Sequence, residues 1–428
     1  MNNSDDVLGS AHASGFAGRP VASGSLAGAR TLRVAILGAG GTIAPAIVRD
    51  LAESDEVADL LLLDLDEARA EHVASLHGGP KARAALADAR ASADAPISLA
   101  RALEGCDVLV NSASYRVNLD AMAACLAAGC HYLDLGGLYW MTGRQLELGP
   151  RFEGAGLLAL LGIGSAPGKT NLMAQRAVRE LRGAADPAAP ASGQDRMTGR
   201  PPGSLINEEA AGIDSIHVSA AGRDLDPPPG FSVPYALQTL LDELTLRPVV
   251  LRDGAPEEIE PLTAGGMVEF DEPIGAAETI HTLHSELRTF GDSFGCREAS
   301  FGLSLSPNLL AALRELTGAS DAEIRRKAAE AVPPSSRTVS VHLVEASAAG
   351  RMVRVRAVTE PIEHWGFGGG IVSTAAPAAA AVRLLARGRI EARGAAPPER
   401  CIEPAEMFSE LERRGCRFEV TTREEVRA

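Results

Sequence analysis

The sequence is poor in basic residues relative to acidic ones, with 41 Lys and Arg against 56 Asp and Glu and a formal net charge of −15. This surplus of negative charge repels phosphate backbones and anionic lipid headgroups, so neither nucleic acid nor a membrane surface is an expected partner. Apolar stretches are also short, since none reaches the ~18 uninterrupted residues of a membrane span. A small-molecule substrate is therefore the expected partner.

Targeting and metal-binding patterns are missing as well. Residues 1–30 are rich in Gly, Ala and Ser, start with acidic residues and lack an apolar signal core, so we interpret them as a disordered tail. The six cysteines include no C-x-x-C and no zinc spacing, which is typical of packing residues in a reducing compartment. We expect a cytoplasmic protein without a metal site.

Residues 162–171, "GIGSAPGKTN", resemble a P-loop in sequence but do not fit its spacing. A P-loop needs four residues between its first glycine and the Gly-Lys pair. Gly164 leaves three and Gly162 leaves five, and Pro167 lacks an N–H where the phosphate cradle needs a donor. The segment must have another role.

What is present is an alternation of apolar runs and helical patterns. "RVAIL" and "ADLLLLDLD" flank the helical spacing of "GTIAPAIVRDLAES", and "CDVLVNSAS" and "CHYLDLGG" flank "NLDAMAACLAAG". Parallel strands joined by helices form such units. We predict a doubly wound parallel α/β sheet of the Rossmann type over residues 31–165.

The pattern changes beyond residue 165. Runs such as "SIHVSAAG", "RTVSVHLVEAS" and "RMVRVRAVTE" alternate like half-exposed antiparallel strands and predict a second, α+β domain over 166–362. Within it, residues 183–204 are rich in Pro, Gly and Ser and predict a mobile loop. The segment 363–428 contains a strong helical pattern and is expected to pack back onto the first domain.

The best candidate for a nucleotide site is "GAGGTIA" at residues 38–44, between a predicted strand and a predicted helix. It fits G-x-G-x-x-G except that Ile43 stands in place of the third glycine, and it also fits G-x-x-G-x-x-A with Gly38, Gly41 and Ala44. A carboxylate at the end of the second strand, Asp64, favours NAD over NADP because it repels a 2′-phosphate. Asp66 is expected to cap the next helix. The expected pyrophosphate-binding residues are Gly38, Gly40, Gly41, Thr42 and Ile43.

Polar residues follow the next two predicted strands, at the edge where such a sheet binds its ligand. Asn111, Ser112 and Ser114 are candidates for the nicotinamide ribose, with helix capping as the alternative. Asp134 is the first candidate for a catalytic or amine-orienting carboxylate. The alternative for Asp134 is a structural carboxylate that accepts backbone N–H groups.

These residues carry a family resemblance. "VAILGAGGTIAPAI", "DVLVNSASYRVNLDAMAACLAAGCHYLDLGG", "GIGSAPGKTNLMA", "HTLHSELRTF" and "VRLLARGRIEARGAAPPE" resemble the saccharopine dehydrogenase-like family, which includes lysine 6-dehydrogenases and carboxynorspermidine dehydrogenases. The resemblance extends over residues 32–420. It implies a Rossmann domain with a second α+β domain for substrate binding and dimerisation. It also implies that the Pro-Gly-x-x-Asn segment links the domains beside the substrate cleft.

The implied activity is NAD(P)-dependent oxidation or reduction at a carbon–nitrogen bond of an amino acid or related amine. Such chemistry needs a base to take the amine proton and anchors for a substrate carboxylate. His281 and His284 are the candidate proton-transfer groups, with surface histidines as the alternative and a metal site as a weaker one. Arg288 is the candidate carboxylate clamp, assisted by Lys169, although each could be a solvated charge. The expected substrate-binding residues are Tyr115, Lys169, Asn171 and Arg288.

Two other functions stay open on the sequence alone. One is a redox-neutral aminoalkyl transferase, like homospermidine synthase, that borrows a hydride from NAD and returns it. The other is a non-catalytic NAD-binding protein, because fold does not fix function. The resemblance further implies a homodimer.

Overall fold

The computed structural model describes residues 30–92, 94–183 and 212–424. The tail expected at 1–30, except residue 30, lies outside the described residues. The loop expected at 183–204, except residue 183, also lies outside them.

The first sheet has seven parallel strands. Six of them belong to the N-terminal part of the chain: β1 Leu32–Leu37, β2 Val57–Asp64, β3 Ala82–Leu86, β4 Val108–Asn111, β5 His131–Asp134 and β6 Leu158–Leu160. Their order in the sheet is β6-β5-β4-β1-β2-β3. Strands are added on one side of β1 up to β3 and on its other side from β4 onwards, so the strand order switches between β1 and β4. The predicted Rossmann sheet is confirmed.

Helices cover both faces of this sheet, which explains why its central strands are apolar on both sides. They are α1 Ala44–Ala52, α2 Glu67–Val73, α3 Leu99–Ala102, α4 Asn118–Ala128, α5 Leu138–Leu146 and α6 Gly149–Gly154. The side chains of β1 divide between two separate buried clusters, with Val34 and Ile36 in one and Ala35 and Leu37 in the other. As expected, Asp66 caps α2 by accepting a hydrogen bond from the backbone N–H of Arg69.

Helix α7, Lys169–Leu181, leads from the first sheet to a second sheet of nine strands. The strands met first are β7 Ser215–Asp224, β8 Val249–Arg252, β9 Ala255–Glu258, β10 Ala264–Glu269, β11 Ala276–His281, β12 Glu298–Leu303, β13 Thr338–Ala348 and β14 Arg351–Thr359. The helices between them are α8 Leu237–Thr245, α9 Leu287–Phe294, α10 Pro307–Glu315 and α11 Asp321–Glu330. Strand β12 pairs in parallel with β7, and the other pairings are antiparallel. The predicted second, α+β fold is confirmed.

The C-terminal segment contains α12 Gly369–Ala386, β15 Gly394–Ala396, α13 Pro404–Glu412 and β16 Cys416–Glu424. Strand β15 pairs in parallel with β6 and becomes the seventh strand of the first sheet. Arg383 of α12 is 2 % exposed and bonds Asp50 of α1 at 2.8 Å and Glu410 of α13 at 2.6 Å. Helix α12 is long and apolar enough to cross a membrane, but 78% of it is buried inside the protein. It is therefore a core helix.

Strand β16 departs from the expected assignment of 363–428 to the first domain. Residues 416–424 pair along the whole of β14 and form an edge strand of the second sheet. The strand is mostly exposed, so its apolar residues give little indication of which sheet it joins.

Candidate active site

The turn after β1 has a shape that only glycine accommodates at its first position. Gly38 has φ +74°, and a Cβ there would lie 2.7 Å from the backbone N and Cα of Ala113. The backbone N–H groups of Gly38 and Ala39 both donate to the carbonyl oxygen of Leu63. The ends of β1, β2 and β4 are thus held together at one edge of the sheet.

The turn fits a dinucleotide on two counts. Helix α1 begins directly after it without a side-chain cap on its first N–H groups, which leaves them as donors for a phosphate. In addition, the carboxylate of Asp64 at the end of β2 organises the turn. Its Oδ2 accepts from the N–H of Gly40 at 2.8 Å, and its Oδ1 accepts from the N–H of Asp66 at 3.0 Å. Thr42 and Ile43 lie at the start of α1 as expected from the sequence.

The three residues predicted at the nicotinamide ribose have different surroundings. Asn111 is 1 % exposed and bonds Asn118, Tyr132 and the N–H of Ala113, so it shapes the loop from inside. Ser114 accepts a hydrogen bond from the N–H of Arg116 at 3.4 Å and caps a short 3-10 turn, in line with the alternative of helix capping. Ser112 has a buried hydroxyl without a hydrogen-bond partner among the described residues. Its Oγ is free to bond a ligand.

Asp134 is a structural residue, which corrects its prediction as a catalytic carboxylate. It is 1 % exposed, and its Oδ1 accepts from the N–H groups of Gly136 and Gly162 at 3.0 and 2.7 Å. Three side chains donate to Oδ2: Gln145, Tyr132 and Asn118, at 2.6, 2.9 and 3.2 Å. Burial raises the pKa of this carboxyl, although the hydrogen bonds oppose the change. With five donors already bound, it has no position left for a substrate.

Two loops of the first domain reach the second domain at the carboxyl ends of β4 and β5. The Tyr115 hydroxyl donates to Oδ2 of Asp242 on α8 at 2.8 Å, and Arg116 donates to the same oxygen at 2.7 Å. After β5, the N–H of Gly137 donates to the hydroxyl of Ser285 at 3.3 Å. The contacts bring residues 242–243 and 284–286 to the edge where a Rossmann fold holds the nicotinamide.

A buried histidine lies at this junction. His284 is 6 % exposed, stacks on Phe301 with ring centroids 3.5 Å apart, and contacts Oε2 of Glu286 through Nδ1 at 3.1 Å. Burial lowers the pKa of His284, but the nearby carboxylates of Glu286 and Glu243 outweigh it and leave the pKa raised. The other Glu286 oxygen accepts from Thr170 at 3.2 Å. The histidine is thus oriented through Nδ1, with Nε2 as its second proton-transfer atom.

Glu243 extends this group of ionisable residues. It is 6 % exposed and accepts a hydrogen bond from the hydroxyl of Tyr235. Burial raises the pKa of Glu243, and the charge of His284 partly opposes that effect. Two buried carboxyl groups therefore act on one imidazole, an arrangement typical of acid–base sites.

Lys169 is also buried. Its amine donates to the hydroxyls of Thr359 and Ser373 at 3.2 and 2.7 Å, and burial lowers its pKa. The pKa of buried His342 is well below the usual value because of burial and because the charges of Lys169 and His284 oppose a further positive charge. Lys169 is 1 % exposed, so it belongs to the interior rather than to a solvated surface.

His281 does not join the group, which corrects its prediction as a catalytic residue. It is paired with Gly302 in the sheet, and its Nδ1 lies 3.0 Å from the carbonyl oxygen of Phe301. Alternation along β12 puts Gly302 and the ring of Phe301 on opposite faces of the sheet. His281 thus points away from the face on which His284 stacks.

Asn171 differs from its predicted role as a substrate ligand, whereas the role of Arg288 as a carboxylate clamp stays a prediction. Arg288 is on α9 with a side chain 36% exposed, against Gly143 of α5 and 3.7 Å from Asp292. Asn171 is 1 % exposed, accepts from the N–H of Gly168 at 2.8 Å and donates to Glu399 at 2.8 Å. Arg288 thus contacts the first domain with a partly exposed side chain, and Asn171 fixes the start of α7.

Several residues of the site were not selected from the sequence. Asp242 and Glu243 are adjacent carboxylates on an amphipathic helix, where a solvated face is the usual interpretation. Glu286 lies within "HTLHSELRTF" without a pattern that marks it as a site residue, and the same holds for Tyr235 and His342 in their own segments. No group of three or more His, Cys, Asp or Glu side chains in 30–92, 94–183 and 212–424 is arranged to hold a metal ion.

Comparisons with known proteins agree with this architecture. Residues 34–160 match the family model described as the saccharopine dehydrogenase NADP binding domain. A carboxyaminopropylagmatine dehydrogenase from Synechocystis sp. is 32% identical over 153 residues, which are 34% of this chain and 38% of that protein. The chain thus matches well under half of the length of this curated relative.

The structural comparison extends the likeness to both domains. Apo saccharopine dehydrogenase (L-Glu forming) from Saccharomyces cerevisiae superposes with a TM-score of 0.63 at 15% identity, covering 92% of this chain and 100% of that chain. At that identity the likeness concerns the fold alone. The resemblance found in the sequence is confirmed: residues 34–160 match the saccharopine dehydrogenase NADP binding domain, and the described chain has the saccharopine dehydrogenase fold.

Proposed function

We propose that this protein is an NAD(P)-dependent oxidoreductase that acts on a carbon–nitrogen bond of an amino acid or related amine. Lysine 6-dehydrogenases and saccharopine dehydrogenases are enzymes of this type. The observation that carries the proposal is the position of His284 and its two carboxyl partners. They are buried where the loops after β4 and β5 contact the second domain.

When bound, the dinucleotide supplies the hydride acceptor or donor at the nicotinamide ring. The residues of the glycine turn would hold its pyrophosphate, and the carboxylate of Asp64 would accept from a ribose hydroxyl of the adenosine half. The unpartnered hydroxyl of Ser112 would bond the nicotinamide half, with Ser114 at the rim. The fit rests on the uncapped α1 N-terminus and on the contact between Gly38 and Ala113.

His284 would move the proton that amine oxidation requires. An amine gives up hydride only from its neutral form, so a base must take its proton first. In neutral form the imidazole accepts that proton, and the carboxylate of Glu286 stabilises the imidazolium. In the reductive direction the protonated ring returns the proton to the nitrogen. The raised pKa means that the ring holds its proton to a higher pH than a free histidine does.

The second domain would exclude water and orient the substrate. Glu243 and Asp242 present carboxyl groups at the junction that can attract an ammonium group, and Tyr115 adds aromatic surface beside them. The buried amine of Lys169 already donates to Thr359 and Ser373, so it would not be a direct anchor for the substrate. The homodimer and the cytoplasmic location expected from the sequence stay predictions.

The test is a panel of diamines, lysine-like amino acids and secondary amines, each assayed with NAD and with NADP for the appearance of reduced cofactor. The proposal expects reduced cofactor with at least one amine and expects the matching carbonyl product to be detected. A product formed without net reduced cofactor would instead identify a redox-neutral aminoalkyl transferase. Cofactor binding without turnover of any amine, and without consumption of reduced cofactor by an amine plus a 2-oxo acid, would contradict the proposal.

A further inference from the structure

The segment "GIGSAPGKTN" at residues 162–171, which resembles a P-loop in sequence, forms the connection from β6 into α7. The N–H groups of Lys169 and Thr170 donate to the carbonyl oxygens of Gly164 and Ser165 at 2.9 and 3.1 Å. These donors are satisfied within the segment, so they are not available to a phosphate. The side chains of Thr170 and Lys169 are directed into the interior, because the two residues are 0 % and 1 % exposed.

Pro167 of this segment packs between two glycines at the edge of the first sheet. A Cβ added to Gly136 would lie 3.1 Å from Cγ of Pro167, and a Cβ added to Gly162 would lie 2.7 Å from the same atom. The N–H groups of both glycines donate to Oδ1 of Asp134. The buried carboxylate of Asp134 thus fixes the two glycines that hold Pro167, and α7 begins two residues after Pro167.

From this fixed start, the first turn of α7 contacts Glu286. The hydroxyl of Thr170 donates to Oε1 of Glu286 at 3.2 Å, and Oε2 of the same carboxylate lies 3.1 Å from Nδ1 of His284. The side chain of Glu286 is 0 % exposed, so water does not replace either partner. The position of Oε2 opposite the ring therefore depends on the donor that holds Oε1.

We infer that Thr170 is a positioning residue for His284: by holding one oxygen of Glu286 it keeps the other oxygen opposite Nδ1 of the ring. The inference rests on the proposed function, in which His284 moves the amine proton. A carboxylate held at both oxygens has a fixed orientation, whereas a carboxylate held at one oxygen can rotate about its last bond. The segment 162–171 thus sets the orientation of the imidazole from the edge of the first sheet.

The charged and titratable groups that act on the ring of His284 come from three elements. They are Glu286 on the same loop, Glu243 on α8 and His342 on β13. The ring stacks on the uncharged side chain of Phe301 of β12. Helix α7 contributes the neutral hydroxyl of Thr170, while Lys169 of the same helix acts on His342. Loss of the Thr170 hydroxyl therefore reaches the ring through Glu286.

Titration of the histidine rings by NMR tests the inference in the full chain without a substrate, and the His284→Gln variant identifies the signal of His284. Thr170→Val removes the hydroxyl and keeps the shape of the side chain. The midpoint of the His284 titration should fall by about 0.5 to 1 pH unit, because Glu286 loses a hydrogen bond that favours its charged form and holds it opposite the ring. Thr170→Ser keeps the hydroxyl and should restore the wild-type titration. Thr170→Ala, which also lacks the hydroxyl, serves if Thr170→Val does not fold.

Turnover of the best amine of the panel gives a second readout. Thr170→Val should lower kcat by about tenfold and leave dinucleotide affinity unchanged. The fall of the oxidation rate on acidification should move to lower pH together with the titration midpoint, because the ring then stays neutral to a lower pH. Ser293→Ala is the matched control, since it removes a buried hydroxyl that donates at 2.9 Å to a different buried carboxylate, that of Glu399. It should change neither the His284 titration nor kcat.

The outcomes separate this inference from the function on which it rests. An unchanged His284 titration in Thr170→Val, an equal change in Ser293→Ala, or a Thr170→Ser variant that titrates like Thr170→Val would overturn the positioning role and leave the proposed function standing. The expected change of the titration in a protein that oxidises no amine would support the positioning of the ring and remove the proposed function.

Discussion

The cofactor end and the substrate end of this molecule are built in different ways. At the cofactor end, residues 38–44 form one continuous turn, and Asp64 joins it through the neighbouring strand. At the substrate end, Tyr115, Asp242 and His284 come from three distant parts of the chain. The first region is specified by local backbone geometry, and the second by the docking of two domains. Damage at one end should therefore appear in binding, and damage at the other in turnover.

The largest effect is expected at the substrate end. His284→Gln removes the proton acceptor and should lower kcat by about 10²- to 10⁴-fold, while the affinity for the dinucleotide stays unchanged. Steady-state rates with the best amine of the panel, together with cofactor titration, measure the two quantities. His281→Gln is the matched control and should keep normal turnover, because His281 faces the other side of the sheet. A His284→Gln variant with wild-type kcat would place the acid–base group elsewhere.

The pH profile sharpens the same contrast. The net raised pKa of His284, in which Glu286 and Glu243 outweigh burial, means that the ring gains its proton at a higher pH than a free histidine. Amine oxidation needs the neutral ring, so its rate should fall as pH decreases through that raised pKa. The reductive reaction needs the protonated ring and should fall as pH increases through it. If the rates of the oxidative and the reductive reaction changed with pH in the same sense, His284 would be ruled out as the acid–base group of both.

The next effect belongs to the cofactor end. Gly38→Val introduces a Cβ that would lie 2.7 Å from the Ala113 backbone, at a φ that L-residues avoid, so the turn must move. We expect dinucleotide affinity to fall by about 100-fold or more, measured by fluorescence titration of the reduced cofactor. Gly129→Ala is the control, because Gly129 also has positive φ but has open space around it. Gly129→Ala should lower the stability of the fold without changing dinucleotide affinity. If both variants lost the same affinity, backbone strain at positive φ would explain the result without a role for the turn at Gly38.

Asp134→Asn should reduce stability and spare the chemistry. Asparagine replaces one carboxylate oxygen by an NH₂ group, which cannot accept hydrogen bonds from the donors that surround Asp134. This loss should lower the free energy of unfolding by about 3 kcal/mol. Urea unfolding at neutral pH measures this loss. Turnover per folded molecule should stay close to that of the wild type. A large loss of kcat with unchanged stability would restore the carboxylate to the reaction.

The smallest effect is expected at the contact between the domains. Asp242→Asn weakens the bonds from Tyr115 and Arg116, each worth about 1 kcal/mol, and should raise the substrate KM by about three- to tenfold. Cofactor affinity should not change, because the glycine turn is distant from α8. Thr239→Ala on the same helix serves as the control. If cofactor affinity fell while the substrate KM rose, the cofactor end and the substrate end would be energetically coupled.

The sequence predicted the cofactor end well because its signals are local. Strand, glycine turn, helix and the capping residue Asp66 each follow from spacing and residue type. At the substrate end it named His284, which the structure buries at the junction of the two domains, but it also named His281, which faces the other side of the sheet, and Asp134, whose oxygens are fully hydrogen-bonded. Which histidine faces the cleft depends on strand register, and whether a carboxylate is free depends on donors such as Gln145 and Gly162. Neither property is encoded near the residue itself.

The most direct test of the central claim, that the junction of the two domains holds an amine against the nicotinamide, is deuterium transfer. An amine that reduces the cofactor is labelled with deuterium at the carbon next to nitrogen, and the reduced cofactor is analysed by mass spectrometry. The account predicts that the label appears in the cofactor of the wild type and that His284→Gln transfers it far more slowly. Reduced cofactor without the label would show that hydride comes from another position and would contradict the account.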